Sequence, residues 1–180
     1  RIAIGGMSSG GNIAAAVALM SRDRGGPALR LQLLEVPALD LTGGHLDLKI
    51  GRGLGVPPFL MKIGLKKVGR EYLGSDRAAV RLPYASPLLA ESLAGLPPTR
   101  IMTAEFDVLR GDGEAYAARL REYGVDASAT RFIGQTHESS FCTAILPGAR
   151  HWRANVNAAL AEFLRPNSGS GSQVSLERSS

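Results

Sequence analysis

Apolar residues along this chain follow two rhythms that take turns. Four short aliphatic runs, Arg1 to Ile4, Leu29 to Val36, Arg100 to Ala104 and Ala127 to Ile133, have strand length and are bounded by breakers. Gly5-Gly6 ends the first, Pro37 the second, and Pro97-Pro98 precedes the third. Between them lie stretches of helical character. Asn12 to Met20 is alanine-rich and apolar, as a buried helix would be. In Glu114 to Tyr123 the residues Tyr116, Leu120 and Tyr123 share one face, and Gly124 is placed to stop the helix. Trp152, Val156, Leu160 and Phe163 repeat at three- and four-residue steps until Pro166.

From about Gly43 to Tyr84 the pattern loosens. Glycines stand at 43, 44, 51, 53, 55 and 64, a Pro57-Pro58 pair interrupts, and Phe59 to Val68 mixes apolar and lysine positions at helical spacing. This segment reads as an insertion. The order β, α, β, insertion, β, α, β, α predicts an α/β fold, mostly a parallel sheet with helices on both faces, because parallel strands need crossovers. Residues 1–166 are expected to form one unit, and the Ser/Gly-rich stretch 167–180 a disordered tail.

Composition narrows the classes. A chain of 180 residues, 44% hydrophobic and 21% charged, builds one domain rather than two. Its single cysteine, Cys142, excludes an intrachain disulfide, and no run of about 18 apolar residues is present, so a cytoplasmic chain without an integral membrane segment is expected. The net charge of +5 is scattered and lacks interleaved aromatics, so no nucleic-acid partner is expected. Arg1 already reads as part of a strand, and the sequence is expected to start within a domain.

The chemistry concentrates after the first strand. Gly6-Met-Ser8-Ser-Gly10 is a Gly-x-Ser-x-Gly string between a predicted strand and a predicted helix, a turn that holds the serine hydroxyl exposed. Glycines at its flanks are expected to relieve crowding, and the backbone N–H of Ser9, at the helix start, faces where an oxyanion would form. Neither a Gly-Lys-Ser/Thr ending nor a full Gly-x-Gly-x-x-Gly accompanies it, which sets a phosphate loop aside.

A serine nucleophile needs an imidazole base. His45 lies in the loose insertion and His151 starts the last helix, where solvated or capping roles suit them. His137 follows the fourth strand, at the sheet edge where open α/β folds carry their sites. Asp107, just past the third strand, is the best placed carboxylate to orient it. Glu105 is the nearest rival, Asp112 suits a helix N-terminus, and Glu138 is expected to face away.

These segments resemble the hormone-sensitive-lipase-like branch of the α/β-hydrolases. Gly6-Met-Ser-Ser-Gly-Gly-Asn-Ile-Ala14 resembles the family's Gly-Asp-Ser-Ala-Gly-Gly-Asn-Leu-Ala. Ala104 to Ala117 is similar to its Ala-Glu-x-Asp-Pro-Leu-Arg-Asp-Glu-Gly-Glu-x-Tyr, and Gly134-Gln-Thr-His137 to its Gly-x-x-His. The order serine, acid, histidine also matches. Met7, Ser9, Val108 and Glu138-Ser139 depart from the pattern without removing a catalytic atom.

The resemblance implies a partial α/β-hydrolase fold whose segment 43–84 is part of a cap, with the first strand at an exposed edge open to self-association. It implies a carboxylesterase or lipase-type serine hydrolase acting on short to medium acyl esters through Ser8, His137 and Asp107, needing no cofactor or metal. The family's His-Gly-Gly-Gly loop lies far upstream of its nucleophile, whereas seven residues precede Ser8 here. This piece alone is therefore expected to lack part of the oxyanion hole and to be inactive. The competing reading is a truncated or non-catalytic, receptor-like ligand binder. Such receptors have lost the catalytic histidine, which is present here as His137.

Overall fold

A computed structural model describes residues 1–53, 57–74, 76 and 78–165. The expected tail at 167–180 lies outside them. Four parallel strands, β1 (Ile2–Met7), β2 (Leu29–Glu35), β3 (Thr99–Phe106) and β4 (Ala127–Thr136), run in sheet order β1-β2-β3-β4. Among the described residues five α-helices accompany them: α1 (Ser9–Asp23), α2 (Leu48–Gly53), α3 (Pro58–Leu73), α4 (Arg110–Glu122) and α5 (Pro147–Leu164).

Side-chain alternation divides the core between the two sheet faces. Ile4, Leu34 and Ile101 pack with Ala15, Leu19, Tyr116 and Leu120 from α1 and α4. Leu31, Leu33, Met102 and Phe132 turn the other way, onto Trp152 and Val156 of α5. Burial on both faces explains why β2 reads as an almost unbroken apolar run. The alanines of α1 bring that helix close to the sheet. On the α5 side, the Trp152 indole stacks on Phe132 with centroids 4.4 Å apart and donates to the carboxylate of Glu35.

Several elements outrun the sequence reading. The first helix runs from Ser9 to Asp23, beyond the Asn12–Met20 stretch read as helical, and the fourth starts at Arg110 rather than Glu114. β3 reaches Phe106 and β4 reaches Thr136, so Asp107 and His137 each stand one residue beyond a strand. Near these ends the ladder breaks: Ala104 pairs with Phe132, but Phe106 pairs with Thr136. The short helix α2 was not foreseen, while α3 extends the helical spacing noted from Phe59.

Candidate active site

The turn from β1 into α1 holds Ser8 at φ 55°, ψ −119°. A left-handed non-glycine residue is strained, and such strain persists only where its surroundings over-determine it. Here they do. The Ser8 N–H donates to Glu35 O at 2.9 Å, and its carbonyl accepts from Asn12 N at 3.2 Å and Ala38 N at 3.3 Å. Although Ser8 occupies the N-cap position, its hydroxyl makes no capping bond. That leaves the hydroxyl for His137.

The glycines divide the work differently from the motif's expectation. A Cβ on Gly6 would lie 2.2 Å from Gly10 O, and one on Gly11 would lie 2.9 Å from the Pro37 side chain. One on Gly10 would meet nothing within 4 Å among the described residues. Close approach therefore constrains Gly6 and Gly11, and Gly10 only as a backbone neighbour. Asn12, which sequence reasoning passed over, is buried and donates from Nδ2 to Ala38 O at 2.7 Å and Ala85 O at 2.9 Å. It ties the start of α1 to both ends of the insertion.

The structure brings Ser8, His137 and Asp107 together. The Ser8 hydroxyl lies 2.9 Å from His137 Nε2, and His137 Nδ1 lies 2.8 Å from Asp107 Oδ2. With the carboxylate ionised, this network assigns the Nδ1–H tautomer and leaves Nε2 to accept the serine proton. Asp107 is buried, and its Oδ1 accepts from Leu109 N at 3.0 Å. The hydrogen bond that His137 donates to Asp107 raises the histidine's pKa above the ordinary imidazole value. Partial burial opposes this, and the charges of Asp107 and Glu138 add to it. Ser9 is the first residue of α1, so its N–H is among those a helix leaves without an internal acceptor.

A cavity of about 530 Å³ opens over this arrangement. Its floor carries Ser8, Ser9, Asp107 and His137, and its walls are almost wholly apolar. Ala38, Leu41 and Leu46 come from the loop after β2, whereas Met61, Val68 and Tyr72 come from one face of α3.

The other nominated residues lie elsewhere. His151 is exposed in the second turn of α5, not at a cap, with its ring 5.7 Å from Phe132. His45 is exposed and bonds through Nδ1 to Oδ2 of buried Asp40 at 2.8 Å. Glu105 meets the Gly134 N–H rather than a histidine, and Glu138 is exposed.

Asp112 does sit in the first turn of α4, but it is fully buried, and its Oδ2 accepts from Leu39 N at 2.8 Å and Asp40 N at 2.9 Å. Burial pushes its pKa up to about 6 against the pull of those two amides. Asp112 thereby ties the loop after β2 to the start of α4, just past Asp107, while the Asp40 carboxylate closes that loop on Thr42, Gly44 and His45. The Asp-Leu-Thr-Gly-Gly string at 40–44 carried a turn signal. Nothing local marked Asp112 as its partner, because the two lie 72 residues apart.

Residues 1–141 match the protein family described as alpha/beta hydrolase fold. Carboxylic ester hydrolase LipN of Mycobacterium tuberculosis is 40% identical over 143 residues, 76% of this chain and 37% of LipN. An arylesterase of Saccharolobus solfataricus is 36% identical over 148 residues, 76% of this chain and 44% of the arylesterase. A crystallised esterase of Pyrobaculum calidifontis superposes with a TM-score of 0.79 at 35% identity, covering 91% of this chain and 53% of that one. The chain thus spans about half the length of these relatives or less. Among the described residues no helix is long and apolar enough to cross a membrane. The chain belongs to the α/β-hydrolase fold family, in its hormone-sensitive-lipase-like esterase branch.

Proposed function

We propose that the protein hydrolyses carboxylic esters through an acyl-serine intermediate, with Ser8 as nucleophile, His137 as general base and acid, and Asp107 as the carboxylate that orients it. The observation that carries this reading is the unbroken line from Ser8 Oγ through the imidazole to Asp107, at 2.9 and 2.8 Å. Ser8 Oγ adds to the ester carbonyl as His137 Nε2 takes its proton, and the N–H of Ser9 supports the developing oxyanion. Collapse of the tetrahedral species breaks the bond to the leaving alkoxide, which takes the proton from His137. Water, deprotonated by the same nitrogen, then attacks the acyl-serine and releases the acid and free Ser8.

The apolar cavity walls favour neutral, short to medium acyl esters over charged ones. The presence of His137 between serine and carboxylate argues against a receptor-like role. A fluorophosphonate probe tests the assignment in a protein that also carries the family's upstream oxyanion loop. Mass spectrometry of the labelled protein is expected to find the phosphonyl group on Ser8, with no labelling of Ser8→Ala and little of His137→Ala. Equal labelling of the wild type and Ser8→Ala would remove Ser8 from the mechanism.

A further inference from the structure

The register between β3 and β4 breaks just before the histidine. With Ala104 paired to Phe132 and Phe106 to Thr136, the single residue Glu105 stands opposite Ile133, Gly134 and Gln135. A bulge of this size takes those residues out of the regular ladder, and their backbone groups must find other partners. Gly134 has φ 74°, a conformation that only glycine adopts without penalty. Its N–H donates to Glu105 Oε2 at 2.8 Å. The backbone of Glu105 is itself held, since its carbonyl accepts from Arg110 Nη1 at 2.8 Å, and Arg110 also pairs with Asp47.

Two carboxylates from one strand end therefore reach across the same gap. Glu105 holds the Gly134 amide, and Asp107, two residues on, holds the His137 ring, three residues past Gly134. Without the first contact, Ile133 to Gln135 have no ladder partner, and the pairing with β3 resumes only at Thr136, one residue before His137. β4 is the outer strand of the described sheet, so no further strand beside it supplies that constraint. Glu105 is not part of the cavity wall and so acts only through what it holds.

We propose that Glu105 is a positioning residue: through the Gly134 amide it sets the bulge from which His137 reaches between Ser8 and Asp107. The purpose of that placement rests on the hydrolase reading above, while the geometry stands without it.

The test begins with proton NMR. An imidazole Nδ1–H held by a carboxylate is sheltered from exchange and resonates far downfield. Two such protons are expected, from His137 on Asp107 and from His45 on Asp40, and His137→Ala and His45→Gln assign them. In Glu105→Ala the His137 signal disappears or exchanges at least about tenfold faster, as the lost tether loosens the ring, and the His45 signal stays. Glu105→Gln, whose amide oxygen accepts the same N–H, keeps both.

The rate of Ser8 labelling falls roughly tenfold to a hundredfold in the alanine variant, the scale of a misplacement near 1 Å, and recovers in the glutamine variant. An unchanged His137 signal and labelling rate in Glu105→Ala would overturn the proposal, as would a glutamine variant no better than alanine. Failure of the hydrolase reading looks different: Ser8 stays unlabelled in the wild type while the His137 signal still depends on Glu105.

Discussion

Two histidine–aspartate pairs in this fold are built to the same measure. His137 reaches Asp107 and His45 reaches Asp40, each from Nδ1 to Oδ2 at 2.8 Å, and both carboxylates are buried. What differs is everything around the pair. The far nitrogen of His137 meets Ser8, whereas among the described residues the His45 ring makes no second hydrogen bond. Asp107 spends one oxygen on the Leu109 amide. Asp40 is filled by its own loop: the Thr42 amide and hydroxyl, and the Gly44 amide. Burial pushes the Asp40 carboxyl up, but bonds from the Thr42 hydroxyl, His45 and the Thr42 amide outweigh it and hold the pKa below the ordinary range. An imidazole on a carboxylate is thus not itself a catalytic device. The third group decides, and at Asp40 the histidine is one more donor closing a turn.

The largest expected effects fall on one pair alone. In hydrolysis of a short-chain nitrophenyl ester by a protein that also carries the family's upstream oxyanion loop, Ser8→Ala and His137→Ala should each lower kcat about 10⁴-fold or more, and Asp107→Asn by a similar order, because the neutral amide neither fixes the Nδ1–H tautomer nor stabilises the imidazolium. His45→Gln should stay within a few-fold of wild type. A loss in His45→Gln comparable to that in His137→Ala would erase the distinction. The pH profile sharpens it. A general base works when neutral, and Asp107 raises the His137 pKa, so the acid limb of kcat/KM should lie above the ordinary imidazole value. In residual Asp107→Asn activity that limb should move to lower pH.

Substitution of the other carboxylate should read out in stability. Asp40→Ala strips the acceptor from two backbone amides, a hydroxyl and an imidazole in a loop where the carboxylate is buried. The cost should be about 3 kcal/mol, seen as a lower urea midpoint at unchanged m-value. His45→Gln removes one donor and should cost about 1 kcal/mol. Should Asp40→Ala unfold at the wild-type midpoint, this loop closure has no energetic weight.

How much of this could be seen in the chain alone follows from where each constraint originates. Strand-like runs, alanine-rich α1 and the period of α5 are local signals, so the parallel α/β layout was legible. Ser8, Asp107 and His137 stood out because each follows a strand, and a parallel sheet brings all such exits to one edge. Strand ends were read short at Ala104 and Ile133, since the bulge that carries Glu105 and Gly134 is a property of two strands together. The crowding at Gly11 comes from Pro37 and Gly6, a contact between turns that no motif states. The place of Asp112 at a helix start was legible, but its burial was not: such a carboxylate is usually solvated, and here the loop arriving with Leu39 and Asp40 covers it.

Asp112 also supplies the most discriminating expectation, because it sits beside Asp40 and titrates in the opposite sense. Its folded pKa is raised to about 6, mainly by burial, so the native state holds this proton more tightly than the unfolded chain does. Stability from that proton is complete below the unfolded carboxylate value and is lost as pH rises to about 6. Asp40, with its depressed pKa, is already ionised across that window and adds no slope there. The wild type should therefore lose on the order of 1 to 2 kcal/mol of this contribution between about pH 4 and 6, and Asp112→Asn should flatten the local change. Urea melts of both proteins at half-unit pH steps would measure the difference. A slope unchanged by Asp112→Asn would mean that the buried carboxylate stays charged, with the two amides of Leu39 and Asp40 outweighing its burial.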